Sequence, residues 1–368
     1  MASTFWMAAD IFARPRLSPR KVTTSAPLHT LSLDRMIGEM IVVGFWGSDP
    51  TSSGARTISS WLHDGLVGGV IFFEDNLRSP KAAIDLMQAF REAAGGLKPF
   101  LCVDQEGGAV ARLRAERGFE PLPAARSVAT LSCRAAEALY NRTARELNRL
   151  GFNLNLGPVV DLALNPDNPA IEGLGRSFGA RPEIVIEYAK VFIEAHRRNH
   201  ILTALKHFPG EGSANVDTHH SLARVTEIWS PRELRPFSEL IADGGADMVM
   251  VGHVVHANIT EPGRPASLSP RAVQGLLRTK LGYDGAIVSD DMQMGALTRS
   301  FTPDDCILLG IEAGLDLFIY SNRQHRDPQM PARFHRIVKA AVESGRVPRA
   351  RIEESVRRLS ALRQSINE

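Results

Sequence analysis

The sequence predicts an α/β fold, a single (β/α)8 barrel of the TIM type, from the order and character of its segments. Short apolar runs alternate with amphipathic segments of helical periodicity along most of the chain. These runs lack the polar alternation of half-exposed strands, which is typical of parallel strands covered on both faces. Eight alternations without a cluster of extra strands favour a closed parallel barrel over an open doubly wound sheet.

The predicted elements follow each other in a regular order. The strands are the apolar, β-branched runs at 36–45, 67–73, 99–104, 152–161, 201–208, 246–253, 285–291 and 315–321. The helices are the amphipathic segments at 79–96, 133–151, 181–199, 231–243, 270–281, 303–313, 332–345 and 348–365. In the second helix, apolar residues recur at helical spacing from Ala136 to Leu147, and Gly151 stands where a left-handed cap would end it.

One domain is sufficient for the 368 residues, because barrels of this class often exceed 250 residues. We predict a poorly ordered N-terminal extension over 1–30 and a barrel with C-terminal helices over 31–368. No basic residue precedes the short apolar patch at the N-terminus, which is the reverse of a secretory signal. A cytoplasmic location is therefore expected, with a periplasmic or exported protein as the alternative.

Composition limits the partners. The chain has 43 Lys and Arg against 41 Asp and Glu, so its charge gives no reason to expect nucleic acid. No apolar run is long enough to span a membrane. The 3 cysteines show no CxxC spacing and predict neither a disulfide framework nor a zinc knuckle. We expect a monomer.

Polar residues gather where the predicted strands end, which is where barrel enzymes bind their ligands. Acidic, basic and amide groups converging on one rim indicate a ligand rich in hydroxyls, and a carbohydrate fits that demand. On the seventh strand, Asp290 and Asp291 face opposite ways, so one of them can point into the barrel mouth. A carboxylate there could attack an anomeric carbon. Capping of the following helix by Ser289, Asp290 or Asp291 explains the same residues equally well.

The segment KHFPGEGSANVDTHHSL, residues 206–222, follows the fifth strand. Asp217 and His219 stand two residues apart, and this spacing can place a carboxylate beside an imidazole that then serves as general acid and base. A surface loop in which the aspartate caps a turn is the simpler interpretation of these residues alone.

Five motifs, VDQEGG, GRSFG, KHFPG, DTHHSL and SDDMQMGA, together resemble glycoside hydrolase family 3, in particular its single-barrel bacterial β-N-acetylhexosaminidases. The resemblance implies Asp290 as nucleophile and His219, paired with Asp217, as acid/base. For sugar binding it implies five further residues: Asp104, Arg112, Arg176, Lys206 and His207. It implies hydrolysis with retention, through a covalent glycosyl-aspartate, without metal or organic cofactor.

The resemblance further implies a substrate with a terminal non-reducing N-acetylglucosamine, such as a peptidoglycan fragment ending in 1,6-anhydro-N-acetylmuramic acid. Two positions depart from the usual motifs: Glu211 replaces a histidine, and Ala109 replaces an arginine. The doubled histidine also leaves His220 as a rival to His219.

Other functions remain open from the sequence. A family 3 β-glucosidase is the nearest alternative, although such enzymes usually have a second domain and a tryptophan after the nucleophile. A metal-dependent barrel hydrolase could use the histidines and aspartates near the strand ends, yet no HExxH motif occurs. A non-catalytic sugar-binding barrel is the third alternative.

Overall fold

A computed structural model of the chain describes residues 31–218, 220–323 and 325–366. Eight parallel strands form a closed barrel, which confirms the predicted fold class. The strands are β1 Ile41–Gly44, β2 Gly69–Phe72, β3 Phe100–Val103, β4 Leu154–Asn155, β5 Leu202–Phe208, β6 Met248–Val251, β7 Ala286–Asp291 and β8 Leu317–Tyr320. Each strand pairs with the next along the chain, and β8 closes on β1 through Ile41 and Phe318.

Helices surround the barrel. They are α1 Leu33–Glu39, α2 Ser53–His63, α3 Pro80–Ala93, α4 Ala125–Val128, α5 Cys133–Leu150, α6 Pro182–Arg198, α7 Leu234–Ala242, α8 Gly295–Thr298, α9 Pro303–Ala313, α10 Met330–Glu343 and α11 Arg349–Ser365. A π-helix, Arg271–Lys280, occupies the place of the predicted helix at 270–281. As the glycine signal predicts, α5 ends at Gly151 with a left-handed φ of 107°.

The first predicted strand, 36–45, is wrong in its first half, which forms α1. Ser32 caps this helix by accepting a hydrogen bond from the backbone N–H of Arg35 at 3.1 Å. Met36, Ile37 and Met40 are fully buried, at a spacing that suits a helix as well as a strand. A short apolar run does not distinguish the two by periodicity, and the cap residue decides. The fourth predicted strand, 152–161, is likewise shorter in the structure.

The barrel strands are buried on both faces, which accounts for their continuous apolar sequence. Every residue of β1, β2, β3 and β6 is buried. Aromatic rings add to this core: Phe72 of β2 packs edge-on against Phe45 at 5.4 Å and against Phe152 at 5.4 Å between ring centroids. Each such side chain contributes on the order of 2 kcal/mol through burial. This core fixes the rim on which the polar residues stand.

Residues 1–30 lie outside the described part of the chain, so the N-terminal extension stays a prediction. In the part that is described, no helix is both long and apolar enough to cross a membrane.

Candidate active site

The carboxyl ends of the parallel strands meet at one rim of the barrel and bring together most of the predicted sugar-binding residues. Asp104 directly follows β3, and Asp290 lies near the end of β7. Lys206 and His207 are among the last three residues of β5. Arg112 stands after a hairpin formed by Gln105–Gly107 and Val110–Ala111. Arg176 reaches the same cluster from the long segment between β4 and α6.

Lys206 lies between two carboxylates on the floor of this cluster. Its Nζ is 2.8 Å from Asp104 Oδ1 and 2.6 Å from Glu106 Oε1. Burial opposes the charge on Lys206, but the two carboxylates outweigh it and raise the pKa of the ammonium. Two of its three N–H donors are thereby occupied, which leaves one for a ligand hydroxyl.

Arg176 forms a bidentate pair with Glu106, with Nε 2.8 Å from Oε2 and Nη2 2.9 Å from Oε1. Nη1 donates to the carbonyl of Ala170 at 3.0 Å, and Nη2 lies 3.3 Å from His207 Nε2. Although burial would raise the pKa of Glu106, Arg176 and Lys206 hold it well below its usual range. Glu106 is therefore an ionised anchor for two buried cations. The motif VDQEGG contains Glu106, but its role was not predicted from the sequence.

Asp161 is a second missed residue, with no exposed surface. Its carboxylate lies 2.7 Å from His207 Nδ1 and accepts the backbone N–H of Glu211 at 2.9 Å. Burial opposes a charge on His207, and Asp161 outweighs burial and raises the pKa of the imidazole. Asp161 could have been predicted as a site residue, because it ends the fourth apolar run of the sequence just as Asp104 ends the third.

Arg112 completes the group from the hairpin side. Its Nη2 lies 3.5 Å from Asp104 Oδ2, and its guanidinium stands 5.5 Å from the ring centre of Phe73. Asp104 thus accepts from Arg112 and Lys206, and both cations lower its pKa against the effect of burial. A carboxylate has about four acceptor positions. Asp104 keeps some of them for a ligand.

The two aspartates of β7 have different partners. Asp291 accepts from the hydroxyl of Ser321 at 2.5 Å and from the backbone N–H groups of Ser321 and Gln293 at 3.0 and 3.1 Å. Burial raises its pKa to about 6. The following helix, α8, begins after Met294 without a side-chain cap, so the prediction that Asp291 could cap this helix is wrong. Asp291 instead satisfies backbone N–H groups of Ser321 and Gln293. Asp290 accepts the backbone N–H of Asp291 at 2.7 Å and remains the candidate nucleophile.

The loop after β5 is held at its base by Glu233, a fully buried residue of the 3₁₀ helix Pro231–Glu233. Glu233 accepts the backbone N–H of Gly212 at 2.8 Å and the hydroxyl of Ser213 at 2.6 Å. Farther along, the carbonyl of Asp217 accepts the backbone N–H of His220 at 3.0 Å, and the His220 residue is exposed. His219 lies outside the described residues, so its pairing with Asp217 stays a prediction.

Over residues 31–218, 220–323 and 325–366, no group of three or more His, Cys, Asp or Glu side chains has an arrangement that could hold a metal ion. The clustered charges instead pair with one another. Asp104, Glu106 and Asp161 face Lys206, Arg112 and Arg176 across the rim. Such paired groups form a preorganised set of donors and acceptors for a neutral polar ligand.

A sequence profile described as glycosyl hydrolase family 3 N terminal domain matches residues 32–362 of the chain. The chain belongs to glycoside hydrolase family 3. It is accordingly an enzyme of the class that hydrolyses glycosidic bonds.

Two family 3 relatives and one solved structure show the extent of the similarity. The beta-hexosaminidase of Xylella fastidiosa (strain M23) is 34% identical over 291 residues, covering 76% of this chain and 82% of the relative. Beta-hexosaminidase A of Pseudoalteromonas piscicida is 30% identical over 323 residues, covering 82% of this chain. This chain spans only 54% of the length of that second relative.

The solved structure is a glycoside hydrolase family 3 beta-N-acetylglucosaminidase from Paenibacillus sp. str. FPU-7. It superposes with a TM-score of 0.83 at 32% identity over 92% of this chain. The match covers 63% of the solved chain, so this chain spans less than two thirds of that protein's length.

Of the two positions that we expect to depart from the usual motifs, Glu211 lies deeper in the site. The residue is 4% exposed, and burial raises the pKa of its carboxyl to about 7. His207 lowers this pKa, whereas Asp161 and Asp290 raise it. The other departure, Ala109, is exposed at the turn of the hairpin. Glu211 is thus in a position to affect the ligand.

Proposed function

We propose that this family 3 enzyme is a retaining β-N-acetylhexosaminidase that removes terminal non-reducing N-acetylglucosamine from β-linked glycosides. The observation that carries the proposal is the set of paired charges around Asp104 and Lys206, on the barrel rim that also carries Asp290, in a chain whose relatives bear the name beta-hexosaminidase. Asp104, Arg112, Lys206 and His207 would bind the sugar hydroxyls, and Arg176 would hold Glu106 and His207 in place.

Asp290 is the proposed nucleophile. Its carboxylate oxygen forms a bond to C1 of the sugar while the bond from C1 to the aglycone oxygen breaks, and His219 gives its proton to that oxygen. Water then attacks C1, His219 takes a proton from the water, and the bond to Asp290 breaks with the electron pair returning to the carboxylate. Two inversions give net retention. Asp217 would orient the His219 imidazole.

The decisive measurement compares turnover of the p-nitrophenyl β-glycosides of N-acetylglucosamine and of glucose. We expect the N-acetylglucosaminide to be hydrolysed with the higher kcat/KM. Faster release of glucose would overturn the assignment in favour of a β-glucosidase. Binding of both sugars without turnover would indicate the non-catalytic sugar-binding barrel.

Retention and the covalent intermediate have their own test. Proton NMR of the first product should show the β-anomer, and a slow fluorinated N-acetylglucosaminyl donor should add the mass of one sugar to the protein. Asp290→Asn should show no such adduct. Activity that falls after prolonged chelation and returns with zinc or manganese would overturn the cofactor-free scheme.

We further propose peptidoglycan fragments as the natural substrate, with N-acetylglucosamine linked to 1,6-anhydro-N-acetylmuramic acid, and a monomeric enzyme in the cytoplasm. The three cysteines support a reducing compartment, because all are free thiols and two of them, Cys102 and Cys306, are buried. Higher kcat/KM on chitobiose than on the anhydromuropeptide would contradict the substrate. Cell fractionation and sedimentation test the location and the monomer.

A further inference from the structure

The backbone of Glu211 is fixed in the site by two hydrogen bonds. Its N–H donates to Asp161 at 2.9 Å, and its carbonyl accepts from Asn168 Nδ2 at 2.7 Å. These two bonds hold the main chain of Glu211 beside Asp161 and Asn168. Its Oε1 is buried and receives no hydrogen bond from any residue that the structure describes.

The carboxyl lies against the backbone at the end of β6. A Cβ placed on Gly252 would stand 2.2 Å from Glu211 Oε1 and 3.1 Å from the Cβ of His207. A larger residue at position 252 would therefore displace the carboxyl from this place. Glu211 is therefore confined between the ends of β5 and β6, and it shares this space with a residue proposed to bind the sugar.

Burial favours a neutral carboxylic acid at Glu211; Asp161 and Asp290 act in the same direction, and His207 and Arg176 oppose it. The nearby groups are His207 on β5, Asp161 and Arg176 from the segment after β4, and Asp290 on β7. A third negative charge near Asp161 and Asp290 is unfavourable, and a buried ionised oxygen without a donor is costly. The pKa of about 7, which burial raises, agrees with this geometry. Below neutral pH, Glu211 therefore carries a proton and can act as a hydrogen-bond donor.

We propose that protonated Glu211 donates a hydrogen bond to the acetamido carbonyl of the bound sugar and thereby selects N-acetylated sugars over sugars with a free 2-hydroxyl. This inference rests on the proposed function. The acetamido group stands on C2, next to the C1 atom that Asp290 attacks, and Glu211 lies within the electrostatic reach of Asp290. A carbonyl oxygen only accepts, so it suits a protonated acid and is repelled by a carboxylate.

A 2-hydroxyl group differs from the acetamido carbonyl because it can both donate and accept a hydrogen bond. It can donate to a carboxylate as well as accept from an acid, so a glucoside tolerates both protonation states of Glu211. The ratio of kcat/KM for the N-acetylglucosaminide to kcat/KM for the glucoside should consequently fall as Glu211 ionises. Titration of Asp290 and His219 affects both substrates alike and cancels in this ratio.

The test measures this ratio from pH 5.5 to 8.5 for the wild type and for Glu211→Gln. We expect the wild-type ratio to fall by about tenfold across this range, as expected when a site loses a hydrogen bond to its substrate. Glutamine keeps an N–H donor at every pH and is of nearly the same size, so its ratio should stay constant. A flat wild-type ratio, or an equal fall in Glu211→Gln, would overturn the proposal.

Glu233→Gln is the matched control. Glu233 is also buried, and burial raises its pKa to about 7, but its carboxylate is engaged with Gly212 and Ser213. This variant should keep the wild-type dependence of the ratio on pH, and a flat ratio would assign the effect to Glu233 instead. If the wild type fails to cleave the N-acetylglucosaminide at any pH, the proposed function itself fails. If cleavage occurs with a constant ratio, only the role of Glu211 fails.

Discussion

His207 Nδ1 lies 2.7 Å from Oδ2 of Asp161, a carboxylate that has no exposed surface. The same carboxylate accepts the backbone N–H of His207, at 3.2 Å to Oδ2. Asp161 therefore determines both the orientation of the imidazole and which ring nitrogen carries the proton, as carboxylates commonly do for functional histidines. Nε2 is left to face Arg176 and the ligand.

Replacing Asp161 by asparagine should lower kcat/KM by about 10- to 100-fold, since a hydrogen bond to a charged group contributes about 1.5–3 kcal/mol. The loss arises because the neutral amide binds the imidazole of His207 and the backbone N–H of Glu211 less strongly than the carboxylate does. Steady-state kinetics on the p-nitrophenyl substrate measures it. Asp167→Asn is the control, because Asp167 is exposed in the same segment. Equal effects of the two substitutions would contradict the role of Asp161.

The neighbouring aspartates of β7 should respond differently to the same substitution. Asp290→Asn should reduce kcat by at least about 10³-fold, because it removes the nucleophile of a covalent mechanism. Asp291→Asn should retain measurable turnover but lower the free energy of unfolding by about 1–3 kcal/mol, since it weakens the bonds to Ser321 and Gln293. Kinetics and urea unfolding on both variants decide this. Turnover lost only in Asp291→Asn would reverse the assignment.

Glu106→Gln should lower the free energy of unfolding by about 3–5 kcal/mol, because it leaves Arg176 and Lys206 buried with too little negative charge. Urea unfolding measures the change. Asp85→Asn serves as a comparison, since Asp85 pairs with Lys81 on the exposed face of α3 and should cost less than about 0.5 kcal/mol. A Glu106 variant as stable as the Asp85 variant would show that the buried pair does not stabilise the rim.

The pKa of Glu211 predicts how stability depends on pH. Burial raises this pKa from 4.5 to about 7, so the folded chain keeps a proton that the unfolded chain releases between these values. The stability that this bound proton contributes is fully present below pH 4.5. It is lost as the pH rises towards 7, so the free energy of unfolding falls over this range. Glu211→Gln lacks this titration. From pH 5 to pH 8, the free energy of unfolding of Glu211→Gln should rise by about 1–3 kcal/mol relative to that of the wild type. A constant difference in urea unfolding would contradict the shift.

Much of the architecture could be predicted from the sequence, because strands covered on both faces must be apolar throughout. All eight predicted strands correspond to barrel strands. The errors are local. The run at 36–45 satisfies the spacing of a helix as well as of a strand, and α2, Ser53–His63, lies in a segment that we did not assign.

Only part of the site could be predicted from the sequence. Motifs identify residues such as Asp104 and Lys206 whose positions at strand ends are fixed by the fold. They do not reveal partners that are distant in sequence, and Glu106 and Arg176 are 70 residues apart. The division of labour between Asp290 and Asp291 also required the structure, because strand alternation shows that the two differ without showing which one meets Ser321.

By itself, the sequence determined the barrel, its rim and the types of residue on that rim. The order of apolar and polar residues is sufficient for this, because it indicates which segments are buried and which form strands. Only the tertiary structure decided which charges neutralise one another and which remain for a ligand. The segment after β5 illustrates this division. Its motif KHFPG is recognisable from the sequence, whereas the state of Glu211 depends on Asp161, Asp290 and Gly252, which reach it from three other strand ends. Burial and electrostatic interactions act through space, and the chain order does not encode these distances directly.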